Sequence, residues 1–338
     1  MKRTVGWAVL LLFTGLAGLG AWVALGISRP FKGYAEPERF VDIPQGAGPA
    51  SIGRRLADAG VIRDTFGFRF ELARTGSGRR LQAGEYRFDR PMTIREVVAK
   101  LVKGDVHLLP ITFREGLTIR QMSELFAAKG FGTAQAFAAA ARNGELVAGL
   151  DPAASDLEGY LFPDTYTMPR GASAAQLVGR MVAGVERVLT PELRARASER
   201  GLNVRQLVTL ASVIEKETGK PEERRLVAAV YSNRLRIGMG LQCDPTVIYA
   251  LEKAGRYTGN LTRENLRFDS PYNTYRYAGL PPGPIASPGQ ASLEAAVDPA
   301  DAPYLYFVSR NDGSHAFAST LPEHNQNVFE YQVKPFRK

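Results

Sequence analysis

Two carboxylates stand at the end of a helix-like run, Val204 to Gly219, which reads VRQLVTLASVIEKETG. Leu207, Leu210, Ala211 and Ile214 recur at spacings of three and four and mark one buried helix face. Glu217 follows Ile214 by three residues and extends that stripe, whereas Glu215 lies roughly 100° further round and is expected to point away. A glutamate on a buried face is costly unless it has a partner or a task. Burial and the negative end of the helix dipole both disfavour the carboxylate and raise its pKa. A raised glutamate pKa is what a general acid needs near neutral pH. The alternative is a structural glutamate paired with Arg224, Arg225 or Arg234.

Further candidates flank this acid. A second helix is expected over Glu222 to Ile237, with Pro221 before it and acids in its first turn. Asn233 falls within its apolar stripe, where the amide would serve Glu217 or a substrate, or simply satisfy a backbone carbonyl. Asp244-Pro245 reads as the N-cap and first residue of a third helix, which gives Asp244 a structural role. The loop DSPYNTYRYAGLPPGPIAS, Asp269 to Ser287, is too rich in proline and glycine for regular structure. Its Tyr272, Tyr275 and Tyr277, beside Asn273, offer flat faces and hydrogen-bond donors suited to sugars. Tyr304 to Val308 reads as a strand, and His315 with Phe317 as its hairpin partner. The chain contains no HExxH, CxxC, phosphate-binding glycine loop or GxSxG elbow. His107, His315 and His324 are far apart in sequence, so no metal site is expected. Cys243, the only cysteine, reads as a small buried residue and permits no internal disulfide.

The elements that must position these residues begin with an apolar run, Val5 to Ile27, preceded by Lys2 and Arg3. About 20 apolar residues suffice to cross a bilayer, and a cleaved signal peptide normally has a shorter apolar region. A retained anchor with an exported body is expected. Two similar stretches follow. Phe40 to Ile43 and Leu109 to Phe113 are strand-like, and each leads through a turn into a helix ending at Gly60 or Gly130. Each then carries an aromatic stretch, Ala83 to Phe88 and Glu158 to Pro163, and a helix closing at Gly104 or Gly184. Recurrence at one period indicates duplication of a small αβ module, and its short strands and paired helices resemble LysM-type glycan-binding modules. The net charge of +9 over 338 residues favours anionic surroundings. Lys and Arg are spread without a basic cluster interleaved with aromatics, so no nucleic-acid partner is expected.

Several runs together resemble one family. ASVIEKET (Ala211 to Thr218), NRLRIGMGLQCDPTVIYAL (Asn233 to Leu251), SPYNTY (Ser270 to Tyr275), GLPPGPIASPG (Gly279 to Gly289) and PYLYFV (Pro303 to Val308) are similar to the endolytic murein transglycosylases, the MltG or YceG-like family. The resemblance covers nearly the whole chain. It implies that the second glutamate of the EKE triplet, Glu217, is the essential acid. It also implies lytic cleavage of the MurNAc–GlcNAc β-1,4 bond within peptidoglycan strands, leaving 1,6-anhydro-MurNAc ends and limiting strand length. No metal or organic cofactor is implied, and peptidoglycan synthases are the implied protein partners. Cys243 departs from the small polar residue that relatives carry. The candidate substrate contacts are Asn233, Gln242, Asp244, Tyr272, Asn273 and Tyr275. The expected fold is α+β. Residues 1–33 form a cytoplasmic tail and transmembrane anchor, and 34–108 a LysM-like αβ module. Residues 109–189 form a second related αβ module, and 190–338 a mixed α/β catalytic domain on the outer side of the cytoplasmic membrane. A non-catalytic wall-binding protein and a hydrolytic muramidase are the alternative readings.

Overall fold

The computed structural model describes residues 25–336 and has an α+β fold. The expected transmembrane segment, up to Ala24, lies outside the described residues. Among the described residues no helix is long and apolar enough to cross a membrane. Two compact units are formed, one by the residues up to Pro110 with Thr167–Ala172, the other by Ile111–Tyr166 and the residues from Ser173 onward.

In the first unit, strand β1 (Arg39–Ile43) pairs antiparallel with β2 (Gly84–Phe88), with Val41 opposite Tyr86. Alternation buries Val41 and Ile43 from one strand and Tyr86 and Phe88 from the other. Helices α1 (Pro49–Asp58), α2 (Thr65–Thr75) and α3 (Ile94–Lys103) supply Leu56, Phe68, Val97 and Leu101 to the same core. Each such side chain, fully buried, contributes roughly 1.5–3 kcal/mol. α3 starts at a reciprocal Thr93–Glu96 capping box and stops at Gly104 in the left-handed conformation. Gly60, at φ +71°, permits a close backbone approach: Gly33 donates its N–H to the Gly60 carbonyl at 2.8 Å, and a Cβ on Gly60 would lie 2.8 Å from the Gly33 carbonyl carbon.

The same succession of strand, two helices, strand and helix then recurs. Strand β3 (Leu108–Thr112) precedes α4 (Ile119–Ala128) and α5 (Ala134–Ala141), and β4 (Thr165–Pro169) precedes α6 (Ala174–Val188). β3 pairs with β4.

The rest of the second unit is mainly helical: α7 (Pro191–Glu199), α8 (Val204–Glu217), α9 (Arg224–Arg236), α10 (Asp244–Lys253) and α11 (Gln290–Val297). A hairpin of β5 (Tyr306–Ser309) and β6 (His315–Ala318) follows, turning through Asn311 at φ 66°, and then α12 (Leu321–Val328). α8 is the central element and packs against α7, α9, α10 and α11. Every residue from Leu207 to Ile214 is buried, so its polar members need internal partners, and Ser212 donates to the Thr209 carbonyl. Two expected boundaries shift. Pro221–Glu223 is a separate 3-10 turn ahead of α9. Cys243, not Asp244, is the N-cap of α10, because Cys243 is still extended and Asp244 is already the first helical residue; the Cys243 side chain makes no capping bond.

Candidate active site

Glu217 occupies the final position of α8, where the next residue, Thr218, turns to extended geometry and ends the helix. The residue is half-buried, and Oε1 accepts a 2.8 Å hydrogen bond from the hydroxyl of Tyr231 on α9. Burial pushes the Glu217 pKa above its ordinary value. Hydrogen bonds from the Cys243 thiol and the Tyr231 hydroxyl pull the other way. Neighbouring Asp244 adds to the rise, and His315 slightly opposes it. The balance favours a protonated acid more than in a free glutamate. Tyr231 and Cys243 are fully enclosed, and burial raises both pKa values so that each remains a neutral donor.

Asp244, on the first turn of α10, is exposed and directs Oδ1 at the Tyr275 hydroxyl, which donates at 2.6 Å. Burial, then this carboxylate, raises the Tyr275 pKa. The loop carrying Tyr275 is zipped to the segment before α10. Gln242 donates its N–H to the Thr274 carbonyl at 3.2 Å, the Cys243 backbone N–H donates to Thr274 Oγ1 at 3.0 Å, and the Thr246 and Thr274 hydroxyls meet at 2.9 Å. Gln242 takes the left-handed conformation at φ 50°, with its side chain exposed. On the other flank, Glu223 accepts both the backbone N–H of His315 at 2.9 Å and its Nδ1 at 2.7 Å. Phe307 stacks edge-on against both Tyr231 and His315, linking the hairpin to the acid's hydrogen-bond partner.

The structure therefore gathers Glu217, Asp244 and Tyr275, with Gln242 beside them, and separates the other candidates. Asn233 donates its amide to the carbonyls of Ala302 and Tyr304 at 2.8 and 3.0 Å, the backbone-satisfying alternative of the sequence reading. Asn273 is fully buried and shapes the loop, donating to Leu266 and Phe268 carbonyls and accepting from the Tyr275 N–H. Tyr272 packs against Tyr249 with ring centroids 5.0 Å apart and under Lys253 at 5.2 Å, away from the acid's immediate partners. Glu215 does not point to solvent. Its side chain is 7% exposed, and Oε2 accepts from the Gly289 N–H at 3.0 Å and the Ser292 hydroxyl at 2.7 Å. Oε1 lies 3.7 Å from Arg224. The structural pairing considered for Glu217 is thus made by its neighbour. Tyr231 escaped sequence reading, although an aromatic with a polar tip between Val227 and Arg234 on a buried face was an available signal. Among the described residues no group of three or more His, Cys, Asp or Glu side chains is arranged to hold a metal ion.

One half-buried acid, hydrogen-bonded by neutral donors and bordered by exposed Asp244 and Tyr275, is suited to proton transfer with a polar substrate. A family described as YceG-like matches residues 41–330. The chain belongs to the YceG-like family. A Bacillus subtilis (strain 168) protein named endolytic murein transglycosylase is 31% identical, over 86% of this chain and 84% of that protein. A Streptococcus pneumoniae (strain D39) protein of the same name is 30% identical over 95% of this chain, which spans 64% of that longer relative. The solved structure of a putative YceG-like protein from Listeria monocytogenes superposes with a TM-score of 0.59 at 32% identity, covering 86% of this chain and 99% of that one.

Proposed function

We propose that this YceG-like chain is an endolytic peptidoglycan lytic transglycosylase with Glu217 as its acid and base. The observation that carries this reading is the half-buried Glu217 carboxyl, its pKa raised by burial and its Oε1 hydrogen-bonded by Tyr231. Protonated Glu217 gives its proton to the bridging oxygen as the MurNAc C1–O bond breaks, freeing the GlcNAc hydroxyl. The resulting carboxylate then takes the proton from the MurNAc C6 hydroxyl as that oxygen closes on C1. The product is a 1,6-anhydro-MurNAc end, and no water is consumed. Gln242, Asp244 and Tyr275 border the acid and are the proposed sugar contacts. The repeated αβ modules are proposed to hold glycan in the manner of LysM modules. The N-terminal apolar run is proposed to anchor the chain in the cytoplasmic membrane, with the catalytic unit outside, near the peptidoglycan synthases whose strands it would shorten.

The test is mass spectrometry of products released from purified peptidoglycan by the full chain in mild detergent. Anhydro ends released by the native chain and absent with Glu217→Gln are expected. Reducing ends carrying added water would convert the assignment to a hydrolytic muramidase, with Asp244, beside Glu217, activating the water. Binding without any fragments would reduce the protein to a wall-binding module.

A further inference from the structure

The first unit carries an apolar ridge that its own core does not use. α2 turns Phe68 and Leu72 inward. Phe66 and Phe70, one helical turn apart on the opposite face, stay 58% and 45% exposed. Leu25, 54% exposed, shares a shallow cleft of about 150 Å³ with Arg63 and Phe66. Single exposed apolar residues are ordinary, but three large ones at one end of a helix mark a contact surface.

The rim of this ridge is basic. Arg69 and Arg74 flank the two phenylalanines on α2, and Arg63 and Arg29 stand near its N-terminal end, all exposed. The nearest acids are engaged: Asp64 caps the Gly67 N–H, and buried Glu71 is bridged by Arg74 at 2.6 Å. Aromatic rings between guanidinium groups match the interfacial layer of an anionic bilayer, where rings sit among headgroups and guanidinium forks bind phosphate oxygens. Chain connectivity points to the same place. The apolar run from Val5 ends at Ile27, which belongs to this unit's core at 2% exposure. A Cβ added to Gly67 of α2 would lie 3.6 Å from Ile27. A bilayer-crossing segment that ends at Ile27 brings the first turn of α2 to the membrane surface.

We infer that Leu25, Phe66 and Phe70 seat the first unit on the anionic lipid surface, with Arg29, Arg63 and Arg69 on lipid phosphates. The inference rests on the proposed anchorage and adds a second contact to it, which fixes the height and tilt of the first unit above the bilayer. The experiment uses the full chain with Phe66→Cys labelled by an environment-sensitive fluorophore. It is reconstituted in phosphatidylcholine vesicles containing phosphatidylglycerol and headgroup-level quencher lipid. Cys243 is fully buried and stays unlabelled. Leu146→Cys, at an exposed position of the second unit, provides the comparison. A blue-shifted emission with several-fold greater lipid quenching at position 66 than at position 146 is expected, weakened when phosphatidylglycerol is omitted. Water-like emission at both positions, with the chain retained by the vesicles, overturns the inference and leaves the anchor standing. A chain that floats free of vesicles overturns both. A blue shift that grows with protein density and ignores the quencher assigns the ridge to a second copy of the chain and overturns the lipid assignment.

Discussion

Glu158→Gln isolates the energetic weight of one buried carboxyl. Glu158 is 8% exposed; Oε1 accepts the first free N–H of α4, from Ile119, at 3.1 Å, and Oε2 accepts the Tyr249 hydroxyl at 3.3 Å. Burial pushes its pKa from 4.5 to about 8, a rise that the Ile119 and Tyr249 bonds only partly oppose. The folded protein therefore holds a proton that the unfolded chain releases, and stability falls as pH climbs from about 4.5 to about 8. At about 1.4 kcal/mol per pH unit the whole interval amounts to roughly 5 kcal/mol. On the same basis roughly 4 kcal/mol of it falls between pH 5 and pH 9. A glutamine keeps the shape and the acceptor for Ile119 but cannot ionise. For a unit of this size 1 kcal/mol moves the melting temperature by about 2–4 °C, so the native chain is expected to lose roughly 10 °C more than the variant across that range. Circular-dichroism melts at pH 5, 7 and 9 measure it. Parallel pH profiles for the two proteins would refute the reasoning, because they would mean that Glu158 ionises without penalty in the fold.

Glu217→Gln is expected to lower the release of glycan fragments by about 10²–10⁴-fold while the protein still folds cooperatively; comparable turnover by the variant would remove the acid from its role. Tyr231→Phe removes a bond to the Glu217 carboxylate, so the alkaline limb of the rate profile is expected to move to higher pH. An unmoved limb would mean that this hydroxyl does not tune the acid. Glu215→Gln leaves Arg224 without its buried counter-charge and is expected to cost about 3–5 kcal/mol of stability, with activity per folded molecule retained. Denaturant titration together with activity normalised to folded protein separates those effects. Tyr275→Phe frees Asp244 from its 2.6 Å partner and is expected to raise KM more than it lowers kcat, read from steady-state kinetics on solubilised strands.

What the sequence made legible was local. The three-and-four spacing of Leu207, Leu210 and Ile214 located α8, because helix periodicity depends only on neighbours, but it could not single out a face, since every residue from Leu207 to Ile214 is buried. The structure adds start signals of the same local kind that the sequence reading did not use: Thr93–Glu96, Thr118–Gln121, Ser173–Gln176, Asn203–Gln206 and Thr320–Glu323 each form a reciprocal capping box. The burial of Glu215 was not legible, since its partners Gly289 and Ser292 arrive from more than seventy residues downstream. The partners of Asn233 and Asn273 were hidden for a related reason. An inward amide looks the same in sequence whether a sugar or a backbone carbonyl completes it. Tyr272 and Tyr275 were equivalent as residues, but buried Asn273 and Thr274 between them turn the chain, and the two rings part company.

The EKE triplet at the end of α8 binds three separate parts of the second unit. Glu215 holds the Gly289–Ser292 segment, Lys216 donates to the Gly116 carbonyl at 3.1 Å, and Glu217 meets Tyr231. Helix ends ordinarily fray, yet this one is tied on three sides. Substrate then need not spend binding energy on ordering the catalytic turn, and the amides of Lys216 to Thr218 should resist hydrogen exchange like core positions, even in the resting protein.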